Sequence, residues 1–143
     1  MEPSSLNENI VYLTGKLSKV FQQKMQQAFS EQGFKVTTEQ FTILAHLWYR
    51  DGLRQQEIAE AIDRDKTTVS RVLDTMVKQN LIHRVPGEDK RERLIHLTKH
   101  GAAIRDQLVI ISGDIYMKTL SEIDEPDIKT SIETLNKLIK NLE

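Results

Sequence analysis

The chain of 143 residues contains no cysteine. Disulfides, thiolate metal sites, iron–sulfur clusters, a cysteine nucleophile and any thiol redox switch are excluded at once. Proline (3) and glycine (6) are both scarce, which favours long helices with few turns. The longest unbroken apolar runs, such as 108–111, are far short of the roughly 20 residues a membrane-spanning helix needs. The first ten residues, MEPSSLNENI, carry neither a basic n-region nor an apolar h-region, so no secretory leader is expected and the cytoplasm is the expected location. There is no G-x-x-x-x-G-K, G-x-G-x-x-G or G-x-S-x-G segment and no paired-carboxylate site, so neither an enzyme nor a cofactor is expected. The histidines are His46, His83, His96 and His100. His96 and His100 are four apart, but Thr98 should start a helix between them, so they share no helical face and no metal site is expected.

What is present is an ordinary globular composition, 38% hydrophobic and 29% charged, on a chain of one-domain length. The net charge of −1 hides an uneven distribution. Residues 64–93 hold 8 Lys/Arg against 5 Asp/Glu, a local excess of +3 that marks a candidate anion-binding surface.

Apolar spacing predicts a first helix over about 7–32, through Ile10, Leu13, Leu17, Val20, Phe21, Ala28 and Phe29, closed by Gly33. Thr37 and Gln40 form a capping-box pattern for a helix over 38–50, which Asp51-Gly52 breaks. A short helix over 55–62 follows, then a polar turn at 63–65. The next helix, 66–79, turns Val69, Val72, Leu73, Met76 and Val77 inward. Asn80 sits where a left-handed residue should end it. Two strands, 81–85 and 93–97, flank a charged Pro-Gly turn and read as a hairpin. Thr98 caps one further helix with Ile104, Leu108, Ile111 and Ile115. Asp124-Glu125-Pro126-Asp127 opens the last, striped by Ile128, Ile132, Leu135, Ile139 and Leu142.

Two short helices across a tight turn, followed directly by a hairpin with a basic tip, make a winged helix-turn-helix pattern. The fold class is mainly α with a small β-hairpin wing. A helix fits the major groove of DNA, where outward polar side chains reach base edges. Here the candidates are Asp65, Lys66, Thr67, Thr68, Ser70 and Arg71. The wing offers Asp89, Lys90, Arg91 and Arg93, with Arg84 on its first strand, to follow the backbone or enter the narrow minor groove. The terminal stripes exceed what a small winged core needs to cover itself, and their spacing suggests helix packing between chains. The organisation expected is one domain over 1–143, a winged core over about 37–98 flanked by dimerisation helices over 7–33 and 99–143. A homodimer would present two recognition helices to half-sites roughly 34 Å apart. The rival reading is a winged module that docks another protein and does not touch DNA.

The runs IAEAIDRDKTTVSRVLDTMVKQNLIHRV and DKRERLIHLTKHG resemble the multiple-antibiotic-resistance regulator (MarR) family. The resemblance covers nearly the whole chain. Its specific parts are the TTVSRVLD stretch and a D-x-R…LT…G signature matched by Asp89, Arg91, Leu97, Thr98 and Gly101. Asn80 departs from it, standing where the family usually has glycine. The resemblance implies a homodimeric regulator, a repressor, that binds pseudo-palindromic operator DNA, with helix 66–79 in the major groove. Arg91 would enter the minor groove, oriented by Asp89. It also implies a small-molecule effector between the terminal helices and the winged core. On aromatic character, Tyr12, Phe41, His46 and Trp48 are candidates to line its site. Without cysteine, effector sensing through a thiol is excluded.

Overall fold

A computed structural model describes residues 5–143. Residues 1–4, the front of the N-terminal stretch considered above, lie outside it. After a 3-10 turn at Leu6–Glu8, the helices are α1 (Ile10–Glu31), α2 (Thr38–Tyr49), α3 (Gln55–Ala61), α4 (Lys66–Lys78), α5 (Lys99–Ala103), α6 (Arg105–Thr119) and α7 (Glu125–Lys140). The strands are β1 (Leu53–Arg54), β2 (Ile82–Pro86) and β3 (Arg93–Leu97).

Most local signals act as expected, although α1 opens at Ile10, later than the start expected at about residue 7. Asn9 caps α1 by accepting from Tyr12 N–H at 3.0 Å. Thr37 and Gln40 close the reciprocal capping box of α2, at 3.1 and 3.2 Å. Gly33 and Asn80 take φ of 85° and 59°, the left-handed turns that end α1 and α4. Pro126 sits in the first turn of α7, where its missing N–H costs nothing.

Other elements differ from the reading of the sequence. β1 joins the sheet as a third strand in the order β1-β3-β2, all antiparallel, with Leu53 opposite Ile95. Two residues are too short to show an alternating pattern. The helix expected to run on from Thr98 is also broken at Ile104 into α5 and α6. The break lets Gly101 and Ile104 lie buried in the core that Leu108 and Ile111 reach from α6.

That core is built from Met25 and Phe29 of α1, Ile43, Leu44 and Leu47 of α2, Ile58 of α3, Val69, Leu73 and Met76 of α4, Ile82 and Ile95 of the sheet, and Leu108 of α6. Val77, read as inward, is instead exposed. It lies about 80° around α4 from Val69 at 100° per residue, on the flank of the buried stripe.

The terminal helices are where apolar surface is left over. Ile10, Val11, Leu13, Leu17 and Val20 on α1 are exposed, as are Ile132 and Ile139 on α7. α7 buries none of its own residues, although its stripe is apolar at helical spacing.

Candidate nucleic-acid interface

Helix α4, which the sequence reading expects to enter the major groove, starts on Asp65. Thr68 N–H donates to one Asp65 carboxylate oxygen at 2.7 Å, and the Thr68 hydroxyl to the other at 3.1 Å. The backbone N–H first, and then the hydroxyl, hold the Asp65 carboxyl below its usual range. Two of the expected DNA-facing residues are thus engaged with each other at the helix start. With Val69, Leu73 and Met76 buried, the opposite face carries Thr67, Arg71 and Asp74, all exposed. Lys66 is exposed beside them, and Ser70 is half-buried on the flank nearest the wing.

Asp74 would repel phosphate from this face, and Arg84 answers it. The Arg84 guanidinium donates to Asp74 Oδ1 at 2.6 Å and to the Ser70 carbonyl at 3.2 Å, with a weaker bond to Gln55 at 3.4 Å. The sequence places Arg84 among the candidate DNA contacts of the wing. Its side chain is only 20% exposed and is committed within the chain. It ties β2 to α4 and neutralises an acid there. Sequence cannot separate a free cation from an engaged one, because Asp74 is ten positions away and meets Arg84 only when the hairpin folds back.

At the wing tip, Asp89 Oδ1 accepts the Arg91 N–H at 3.0 Å and the Asp89 carbonyl accepts the Glu92 N–H at 2.9 Å. Gly87 N–H closes the turn onto the Glu92 carbonyl at 3.0 Å. Asp89 therefore acts on Arg91 through the backbone. Lys90, Arg91 and Arg93 project from this turn, exposed.

Between wing and helix lies a cleft of about 250 Å³ that the sequence reading missed. Arg54, Gln55, Gln56 and Lys66 face Arg91, Glu92 and Arg93 across it. Arg54 is anchored by Glu57, whose Oε1 accepts both its backbone N–H at 3.2 Å and its Nε–H at 2.9 Å. Arg50 pairs with the other oxygen of Glu57. The Arg54 bonds depress the Glu57 carboxyl below its usual range and raise Arg54. The only local signal for Arg54 would have been its place just before a helix; the facing wing residues are more than thirty positions away.

The remaining signature residues are architectural. Thr98 caps α5 by accepting Gly101 N–H at 2.9 Å, and its hydroxyl donates to the Asn80 carbonyl at 2.6 Å. Gly101 packs so closely on Leu81 that an added Cβ would stand 2.0 Å from the Leu81 carbonyl oxygen. The Trp48 indole N–H donates to the Gly101 carbonyl at 2.9 Å.

The four aromatic and histidine candidates are not gathered into one cavity. Phe41 packs between Phe29, tilted against it, and Trp48, edge-on, at centroid distances of 5.3 and 5.8 Å. Trp48 is held by Gly101, and His46 is half-buried on α2. Tyr12 lies 17 residues before Phe29 on α1, about 25 Å along the helix, and lines a separate surface hollow with Val11, Lys16 and Val20.

The family model of the MarR family matches residues 36–92, the span from the α2 cap to the wing tip. The organic hydroperoxide resistance transcriptional regulator of Bacillus subtilis is 32% identical over 108 residues, covering 75% of this chain and 72% of that protein. The chain belongs to the MarR family of transcriptional regulators. The multiple antibiotic resistance protein MarR of Escherichia coli is 26% identical over 95% of this chain and 96% of its own. The Staphylococcus aureus regulator MepR, in a crystal structure of its DNA complex, superposes with a TM-score of 0.85 at 29% identity, over 92% of this chain and 96% of that one. Within this MarR-family chain the winged helix is the DNA-binding element.

Proposed function

We propose that this MarR-family chain is a cytoplasmic repressor that grips a pseudo-palindromic operator as a homodimer. Residues 1–143 act as one domain, with a winged core at about 37–98 carried on dimerisation helices. The observation that carries the reading is the shared exposure of Lys66, Thr67 and Arg71 on α4 beside Lys90, Arg91 and Arg93 on the wing, with their only facing acid on α4, Asp74, neutralised by Arg84. Arg71 is long enough to reach a guanine edge from the outer face of α4, and Arg91 enters the minor groove. Asp65, Thr68 and Asp89 serve by shaping the backbone that presents these cations.

The second copy is called for by the apolar face of α7 and the N-terminal half of α1, which the described residues of the same chain leave largely exposed. One recognition helix reads only a few base pairs, and a two-fold pair multiplies the contacts. A small-molecule effector would act at the junction of the terminal helices with the winged core. There an open cavity of about 690 Å³ between α1, α2 and the end of α3 has Phe21, Met25 and Phe41 on its apolar floor. An effector there shifts the operator affinity only by binding two conformations unequally.

The test is footprinting on genomic DNA followed by anisotropy on the recovered site. Arg71→Ala should cost roughly 1–3 kcal/mol on that site and relax preference at one position. Unchanged binding on every sequence removes α4 from the interface. Little binding of any duplex at low salt would favour the protein-docking reading instead.

A further inference from the structure

The cleft between wing and helix has a composition its neighbours do not explain. Four cations, Arg54, Lys66, Arg91 and Arg93, line it against a single carboxylate, Glu92. Its walls come from three separated stretches of chain, so the charge is gathered by the fold. Arg54 is held ready. Glu57 fixes its backbone N–H and its Nε–H, which leaves the two terminal nitrogens of the fork without a hydrogen bond among the described residues. The nearer of them, Nη1, stands 3.8 Å from Glu92 Oε1, beyond hydrogen-bonding reach. The guanidinium is thus attracted to Glu92 but not bonded by it. Planar forks of this kind bind phosphate through paired N–H groups.

We infer that this cleft seats one backbone phosphate of the duplex, with Arg54 as its principal ligand and Glu92 as an internal anion that competes for the place. The inference rests on the reading of the chain as a duplex-binding regulator, and adds to it a contact lying between the recognition helix and the wing. A phosphate here joins the two readers: Lys66 belongs to α4 and Arg91 and Arg93 to the wing, so the same anion is attracted by both. Glu92, carried on the wing, weakens the seat in the free protein and lowers the affinity for any anion that cannot displace it.

The experiment uses the full chain and a labelled generic duplex of about 30 base pairs, with anisotropy titrations from 50 to 200 mM salt. Arg54→Gln should flatten the slope of log affinity against log salt by about 0.9 for each protomer bound. Over that fourfold range the wild type then loses about 3.5-fold more affinity per protomer than the variant does. Arg54→Lys keeps the charge and should keep the slope. Glu92→Gln should tighten binding in the wild type and do so far less in the Arg54→Gln background, because the two residues act on one site. The inference is overturned if the Arg54→Gln slope equals the wild type, if Arg54→Lys flattens it as much as glutamine, or if Glu92→Gln tightens both backgrounds equally, as a distant charge would. If the wild type itself fails to bind duplex at 50 mM salt, the duplex-binding reading fails and takes this inference with it. Trp48 fluorescence confirms that each variant is folded.

Discussion

Gly101→Ala isolates the packing of α5 on the hairpin. The added methyl would stand 2.0 Å from the Leu81 carbonyl oxygen and 3.0 Å from its carbon. Both are backbone atoms, so no side chain can swing away. α5 must move outward by about 1 Å to restore ordinary contact, at an overpacking cost of about 1–3 kcal/mol. Two hydrogen bonds cross the same spot: Thr98 N–H to the Leu81 carbonyl at 3.1 Å, and the Trp48 indole to the Gly101 carbonyl at 2.9 Å. Each contributes about 1 kcal/mol. Against this, alanine favours the helix by about 0.5–1 kcal/mol. The net loss should be about 2–4 kcal/mol. The chain has one tryptophan, so urea unfolding followed by Trp48 fluorescence reads both global stability and the local bond. Protein concentration is held fixed, because dimerisation couples to the midpoint. A variant within about 0.5 kcal/mol of wild type would show that the close approach of Gly101 to Leu81 is not what fixes this residue.

Other changes probe the remaining elements. Arg84→Met should cost about 1–2 kcal/mol, a figure kept low because Asp74 is 56% exposed. It should also weaken duplex binding by uncovering Asp74; normal affinity would mean that the pairing is idle. Ile132→Glu with Ile139→Glu should convert a dimer to a monomer in analytical ultracentrifugation, and an unchanged mass would place the interface elsewhere. The Asp65 carboxyl lies below its ordinary value of 3.8 in the fold, through the Thr68 bonds. Its contribution to stability is therefore present in full above about pH 4 and is lost as pH falls through the folded-state value. Asp65→Asn keeps a capping oxygen but cannot titrate, so its urea midpoint should fall less steeply between pH 5 and pH 3. Parallel curves would remove the cap from the acid response.

The geometry divides the family signature in two. Asp89 shapes the turn that carries Arg91, the residue proposed to enter the minor groove. Leu97, Thr98 and Gly101 instead join the hairpin to α5: Thr98 bridges Asn80 and Gly101, and Gly101 receives Trp48. A pattern that reads as one motif thus performs two tasks. The second is mechanical, because the wing can hold its angle only if the chain leaving it is anchored.

Elements governed by neighbours in sequence were legible in sequence. The caps at Thr37 and Thr98, the left-handed turn at Asn80 and the apolar stripe of α4 all depend on residues within a few positions of one another. The cationic face of α4 followed from the same periodicity, and so did the surplus of apolar surface on α1 and α7. Tertiary structure alone decided what depends on distant pairs. It set Arg84 on Asp74, brought Arg54 opposite the wing, added β1 to the sheet, bent the chain at Ile104 and kept Tyr12 apart from Phe41. The physical reason is range. Capping and amphipathicity act within a turn or two of helix, whereas a charged side chain is free or engaged according to what the fold places beside it.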